Sequence, residues 1–476
     1  MSTAESRDTD RIDAPLVRTA FILVLGTFMS SMDATIVTVG IDTMARDLDA
    51  SVTQIQWVTT AYLLAVVAVV PASGWLVDRI GGRRTWMGAI ALFLTASLLC
   101  ALSWSIESMI VFRVLQGLGG GLLPPTGQTL LARAAGPKRI GRIISIVGMV
   151  PLLSPLLGPV AAGGILAAAP WPWLFYVNLP IGLVAVVLAT RFVERDTPGG
   201  SDVPFDMVGA LLLSPGLALL VFGLTGLSHE GAAATPAVAV SAAVVGAAML
   251  VGFVLHGLRH RAPLVDPRLF TRPPLGAAAL ALVILGASVV GTLFLLPLYL
   301  QTARGLTAWD TALLMIPQGI GAVAGSLTVS RIIDRVAPRS IVITGVGLIA
   351  LGSIVLTQVH TPPPDALLAV SLLVRGLGIA MIGAPVMTIV YSSIDRAEVP
   401  RASTALNLLN TIGGSVGTAV LAVILQSRFD ARGADQGAAF ADTFWWVLGF
   451  CLIAAAGVVR LPRRPKQDPA DAGTAR

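Results

Sequence analysis

Long apolar runs separated by short polar stretches fill almost the whole chain. A helix needs about 20 mostly apolar residues to cross a bilayer at 1.5 Å per residue. Fourteen runs approach or exceed that length: 19–40, 54–76, 85–104, 109–131, 143–168, 173–192, 207–227, 236–256, 276–300, 308–329, 341–359, 366–391, 402–426 and the shorter 444–459. Short alternating segments of the kind that build membrane barrels are absent. The pattern predicts an all-α polytopic membrane protein of fourteen spans, spans 1 to 14 in chain order.

The polar positions orient these spans. Of the 32 Lys and Arg residues, 26 fall in the segments on one side, if the amino terminus is taken as cytoplasmic. Arg46, Arg304, Arg428 and Arg432 fall on the other side, and Arg113 and Arg375 lie inside spans. Cytoplasmic loops of membrane proteins carry the excess of Lys and Arg. A miscounted span would invert every later loop, so the bias supports both the count and the direction. Residues 1–18 and 461–476 read as cytoplasmic tails, and no cleavable leader is expected, because the first apolar run is too long for one. The chain is expected in a plasma membrane, multi-pass, with both termini cytoplasmic. Arginine-heavy, alanine-rich usage, with Lys138 and Lys466 the only lysines, suggests a bacterial genome rich in G and C.

Composition narrows the chemistry. In 476 residues, 55% are hydrophobic and 12% charged, against about 25% charged in a soluble domain. The net charge of +6 is accounted for by basic loops, so no nucleic-acid partner is expected. Cys100 and Cys451 sit in apolar runs and read as free thiols. His229, His256, His260 and His360 suggest no metal site. There is no phosphate-binding G-x-x-x-x-G-K-[ST] loop, no catalytic triad and no sign of a cofactor or an obligate protein partner. The chain is not read as an enzyme.

Two passages repeat. Span 2 runs into Gly74-Trp75-Leu76-Val77-Asp78-Arg79-Ile80-Gly81-Gly82-Arg83-Arg84, and span 10 into Gly325-Ser326-Leu327-Thr328-Val329-Ser330-Arg331-Ile332-Ile333-Asp334-Arg335. Span 4 reads Gln116-Gly117-Leu118-Gly119, and span 12 reads Arg375-Gly376-Leu377-Gly378. An offset of eight spans implies two parallel six-helix halves with two extra helices between them. The domains are then 19–192 and 276–460, joined by a linker of two spans over 193–275.

With these motifs the chain resembles the major facilitator superfamily, and within it the fourteen-helix drug:proton antiporters, over roughly residues 19–460. The loop 74–84 matches the signature between helices 2 and 3, and Arg113 with Gly117 the helix-4 motif. Gly158-Pro159 with Gly163-Gly164 matches the helix-5 motif of exporters. Met32-Asp33-Ala34-Thr35-Ile36-Val37, Asn178-Leu179-Pro180-Ile181-Gly182, Phe205-Asp206, Pro263-Leu264-Val265-Asp266 and Gly413-Gly414-Ser415 resemble further motifs of the fourteen-helix branch. The chain departs from the pattern at Thr38, at Asp42, at Pro172 between two tryptophans, and at Asn410 in place of an arginine.

Asp33 is the one carboxylate well inside a span. A charge at the bilayer centre costs about 2.5–3.5 kcal/mol on the gentlest scale, so Asp33 must face the bundle or a cavity. Desolvation penalises the charged form. A carboxyl whose hydration alternates between two conformations can therefore load a proton on one side and release it on the other. The alternative is a permanently paired structural carboxylate. Asp33 lies 15 residues beyond Arg18 and Arg113 a few residues into span 4, which places both in the outer half of the membrane. The resemblance implies a part in proton transfer for Arg113; the alternative is an arginine snorkelling to the interface. Gly74, Asp78, Arg79, Gly82 and Arg83 read as a cytoplasmic gate of charge-assisted bonds, or else as a solvated basic loop. Pro151, Pro155 and Pro159 share one face of span 5, while Gly158, Gly163 and Gly164 permit close approach to a neighbour, together a pivot and seal or ordinary helix packing. Gln56, Tyr62, Gln116, Asn178, Gln318, Asn407 and Asn410 are candidate polar groups of a substrate cavity.

The reading is of a proton-coupled exporter of small amphipathic, often cationic drugs, working by alternating access, with protons, a small-molecule substrate and the bilayer as its partners. The alternatives are a dedicated exporter of one endogenous metabolite, antibiotic or lipid, and a non-transporting receptor or scaffold.

Overall fold

The computed structural model describes residues 13–194, 205–227, 235–260, 263–271, 273–333, 335–391, 399–433 and 435–458. Most of both predicted tails, and Asp334 of the second repeat, lie outside these residues. Fourteen helical units follow in order. They are α1 (Ala14–Asp47), α2 (the bent pair Val52–Val69 and Ala72–Ile80), α3 (Gly82–Ala101), α4 (Ile106–Val147), α5 (Met149–Ala168), α6 (Asn178–Phe192, after the turn Trp173–Tyr176) and α7 (Met207–Leu227). Then come α8 (Pro236–Arg259), α9 (Pro273–Leu298), α10 (Ala308–Ile332), α11 (Pro338–Ile354), α12 (Asp365–Tyr391), α13 (Val399–Arg432) and α14 (Gln436–Val458). No strand occurs among the described residues. Twelve of these helices are long and apolar enough to cross a bilayer by themselves, and the bent α2 adds a thirteenth. Helix α5, several of whose side chains lie outside the described residues, corresponds to the remaining predicted run.

Local chemistry sets the boundaries. Ser51 and Gln54 form a reciprocal capping box at the start of α2, and Ser105 with Ser108 does the same for α4. Thr307 accepts from the Asp310 amide at the start of α10. Pro15, Pro236 and Pro338 enter α1, α8 and α11 in the first turn, where a missing N–H costs nothing.

Three boundaries differ from the sequence pattern. Span 2 is not one rod: it bends by 55° where Pro71 removes a helical donor. Span 4 runs past its apolar stretch to Gly136, whose non-helical backbone (φ 68°) kinks α4, and a further helical stretch carries the basic residues to α5. Span 14 starts at Gln436 rather than near 444, because alanines continue the helix backward from Phe444.

The packing repeats with the predicted offset. Helix α4 packs against α1, α2 and α3, and α12 packs against α9, α10 and α11. Likewise α1 contacts α5 and α6, and α9 contacts α13 and α14. The architecture is thus two six-helix bundles with two extra helices between them. Helices α7 and α8 pair with one another, and α7 lies against α2 and α13, where Trp57 stacks on Phe222 with centroids 5.6 Å apart. Their outer faces, including Leu211, Val244 and Val251, are exposed and apolar, as suits helices turned toward lipid.

The halves meet at the end that carries Arg79, Arg83 and Arg133. There Asn407 Nδ2 donates to Gln128 Oε1 at 2.9 Å, and Ser403 Oγ donates to the Pro125 carbonyl at 3.3 Å. Gly141 of α4 faces Thr388 and Ile333 across the same seam.

Candidate functional site

Asp33 sits midway along α1, fully buried, with its carboxylate against Arg113 of α4. Arg113 Nη1 donates to Asp33 Oδ2 at 2.6 Å. The other oxygen, Oδ1, accepts from Gln116 Nε2 at 2.9 Å and from Asn178 Nδ2 at 2.7 Å. Three donors from α4 and α6 therefore converge on one carboxylate. Gln116 and Asn178 also reach Ser97 Oγ of α3, at 2.8 and 3.4 Å.

Arg113 is equally buried, and α2 supplies much of its surroundings. Its Nε donates to the Val58 carbonyl at 2.9 Å, and its Nη1 also reaches Gln116 Oε1 at 2.5 Å. The guanidinium lies 4.1 Å from the centroid of the Tyr62 ring, whose hydroxyl donates to the Ser30 carbonyl at 3.0 Å. Gly117 and Gly121 make this possible: a Cβ on either would press on the α2 backbone. One guanidinium nitrogen, Nη2, is buried without a hydrogen-bond partner among the described residues.

Asp33 and Arg113 are held together by good geometry, and neither can be removed cheaply. Breaking a buried pair by deleting one partner costs about 3–5 kcal/mol, because the other charge is left uncompensated.

The second half holds a cage without a carboxylate. Arg375 of α12, at the position that Gln116 holds in the repeat, is fully buried. It donates to the Ser288 carbonyl at 3.1 Å, and at 3.4 Å to Ser353 Oγ and to Gln318 Oε1. Oxygens of α9, α10 and α11 thus surround Arg375, where helices of the first half give Arg113 an acid.

Of the residues expected to line a cavity, Tyr62, Gln116 and Asn178 converge on the Asp33 pair. The other four are not brought together. Gln56 is half-buried on α2, Gln318 bonds to Arg375, Asn407 bonds across the seam to Gln128, and Asn410 is exposed on α13. Sequence reasoning missed Ser97, Ser30 and the Val58 carbonyl. The hydroxyls are common residue types in helices and the carbonyl belongs to no motif, so only the fold identifies them.

At the expected gate, Gly74 and Gly82 are buried and Arg79 is exposed. Asp78 Oδ1 lies 3.6 Å from Arg133 Nη2 of α4. Arg83 Nη2 donates to the Thr190 carbonyl of α6 at 2.6 Å. The second segment of α2, which carries Asp78, packs against α13 of the other half. In α5, Gly158 lies against Thr35 of α1, whose Oγ1 donates to the Ser154 carbonyl at 3.2 Å. Gly163 and Gly164 depart from expectation: no neighbour comes within 4 Å of where their Cβ atoms would be, among the described residues. Beyond Gly158, helix α5 has turned an exposed face outward, so the close approach expected of three glycines holds for one. The side chains of Pro151, Pro155 and Pro159 lie outside the described residues.

Comparison with known proteins agrees with this architecture. The sequence pattern of the Major Facilitator Superfamily matches residues 23–418. A "Multidrug resistance protein B homolog" of Mycobacterium tuberculosis H37Rv is 37% identical over 424 residues, covering 88% of this chain and 78% of that protein. A "Putative multidrug resistance protein MdtD" of Salmonella typhi is 28% identical over 454 residues, covering 94% and 95%. In three dimensions the chain resembles the proton:xylose symporter XylE (TM-score 0.67, 15% identity, covering 95% of this chain and 97% of that one). It also resembles the human organic anion transporter MFSD10 (TM-score 0.64, 14% identity, covering 94% and 100%). At such identities the structures speak for the fold alone. The sequence match and the paired six-helix bundles lead to one conclusion: this chain belongs to the Major Facilitator Superfamily, a membrane transporter and not an enzyme.

Proposed function

We propose that this transporter is a proton-coupled antiporter that exports small amphipathic or cationic drugs across the plasma membrane, with both termini cytoplasmic. The observation that carries the reading is the sealed Asp33–Arg113 pair, with three donors aimed at the carboxylate and one guanidinium nitrogen left over. The names of the multidrug-resistance relatives support the direction and the class of cargo.

The energetics tie proton binding to movement. One proton moving inward through 100 mV supplies about 2.3 kcal/mol. Protonating Asp33 in the present geometry would strand Arg113 at a cost of about 3–5 kcal/mol. The proton therefore cannot be taken up with the helices where they are. Arg113 must gain water or another acceptor as Asp33 is neutralised, and the unpartnered Nη2 is the donor that such an acceptor would meet first. Loading a proton thus favours a rearrangement of α1 against α4, and the bundles 19–192 and 276–460 rock about the central site. The Gln128–Asn407 bond across the seam holds the basic end shut until that change, with the α2 segment that carries Asp78 packed on α13, while the Asp78–Arg133 pair ties that segment to α4 within its own bundle. In this scheme Gly158, seated on Thr35, is the point at which α5 moves against α1.

The test is efflux from everted vesicles under an imposed pH gradient. Asp33→Asn should abolish gradient-driven drug accumulation while leaving slow, passive equilibration of drug. Full gradient-driven activity in that variant would refute the assignment.

A further inference from the structure

The ends of α7 and α8 bring together three side chains that the proposed transport mechanism does not use. His256 and His260 stand four residues apart at the end of α8, so both rings face the same way, stacked with centroids 5.0 Å apart. Asp206 stands immediately before α7. It is buried, and its Oδ1 lies 2.9 Å from His256 Nε2. One ligand atom from each of the three falls within 4.8 Å of the other two.

We propose that Asp206, His256 and His260 bind a single divalent transition-metal ion of the Zn2+, Ni2+ or Co2+ class, which clamps the start of α7 to the end of α8. Two imidazoles and one carboxylate are donors suited to such ions, whereas Mg2+ and Ca2+ favour oxygen ligands. The three ligands leave a fourth position for water. Atoms bound at about 2.0–2.1 Å in a tetrahedral site lie roughly 3.3 Å apart. The Asp206–His256 pair thus needs to widen by only a few tenths of an ångström. His260 must swing inward from its stack on His256, about a backbone position just beyond the last helical residue.

The carboxylate is already oriented as a ligand. Its Oδ1 accepts from the Gly209 amide at 2.8 Å and its Oδ2 from the Leu264 amide at 3.2 Å. Backbone donors of this kind fix a ligand in place and survive when a metal displaces the imidazole proton. Gly209 leaves room beside the carboxylate that any side chain would fill. The loop is seated as well, since Gly257 of α8 packs against Pro267.

The test is titration calorimetry with Zn2+ or Ni2+ on the full-length protein in detergent micelles, with any affinity tag removed, alongside melting curves and the visible absorption of bound Co2+. The wild type should bind one ion per chain and melt at a higher temperature with metal. His260→Gln leaves the Asp206–His256 contact intact and should weaken binding by more than about tenfold, since losing even a group that only orients a ligand costs about 10–100-fold. The double variant His256→Gln/His260→Gln should bind none, whereas His360→Gln should bind as the wild type does. Absence of saturable binding in the wild type, or equal binding and equal melting shift in His260→Gln, would overturn the proposal.

Discussion

Asp33→Asn is isosteric, so it isolates charge and donor count from shape. Three N–H groups point at the Asp33 carboxylate, from Arg113, Gln116 and Asn178. An asparagine offers one acceptor oxygen and turns an NH2 group toward the remaining donors. It also leaves the Arg113 guanidinium fully buried with no counter-charge. The single variant should therefore lose about 3–5 kcal/mol of stability. Arg113→Gln should lose a similar amount by stranding the carboxylate. The double variant Asp33→Asn/Arg113→Gln removes both charges and should recover much of the loss, with a coupling of up to about 3 kcal/mol for side chains in direct contact. Thermal unfolding in detergent supplies the order: the double variant should melt above either single one. Everted vesicles supply the second readout, and there all three should fail to accumulate drug under a pH gradient. Recovery of stability without recovery of pumping would separate the proton site from a structural ion pair. A double variant that melts below both singles would show the two residues to be energetically independent. A double variant that pumps would place the titrating group elsewhere.

Other perturbations read other parts of the molecule. Asp78→Asn removes a partly exposed pair with Arg133 worth about 1 kcal/mol at most, so expression and drug binding should hold while turnover falls; unchanged turnover would remove the gate. Tyr62→Phe keeps the ring under Arg113 and loses the bond to Ser30, which should cost about 1 kcal/mol by thermal unfolding and leave transport intact. Gly376→Ala would drive a methyl into the Gln318 backbone between α10 and α12 and should destabilise by about 1–3 kcal/mol; Gly383→Ala, with no neighbour within 4 Å, should melt as the wild type does.

Most of this architecture can be read along the chain. A bilayer forces each crossing segment to be helical and apolar, so length and hydropathy place the spans, and the repeated glycine motifs of spans 2 and 4 give the eight-helix offset. The pairing of Asp33 with Arg113 was also legible, because two isolated charges at similar depth in an apolar medium need each other. What escaped is information held across helices. Ser97 and Ser30 look like ordinary helix residues until α3 and α1 pack against α4. The bend at Pro71 reads in sequence as a tolerated proline, since packing decides which of a membrane helix's prolines break it. The spacing of His256 and His260 is visible in the chain, but it acquires meaning only when α7 brings Asp206 alongside.

The contrast between the two cages has a bioenergetic consequence. Among the described residues, Asp33 and Asp206 are the buried carboxylates, and only Asp33 is deep in a span; Arg375 faces oxygens that do not titrate near neutral pH. If Asp33 is the proton carrier proposed above, with one proton per turnover, the transporter swaps one positive charge for one when its cargo is a monovalent cation. Such an exchange moves no net charge, so the transmembrane voltage does no work on it and only the difference in acidity drives it. A neutral cargo would instead feel both, and a divalent cation would be exported against the voltage. Valinomycin clamps at fixed external pH should therefore leave monovalent efflux unchanged and slow the efflux of neutral drugs.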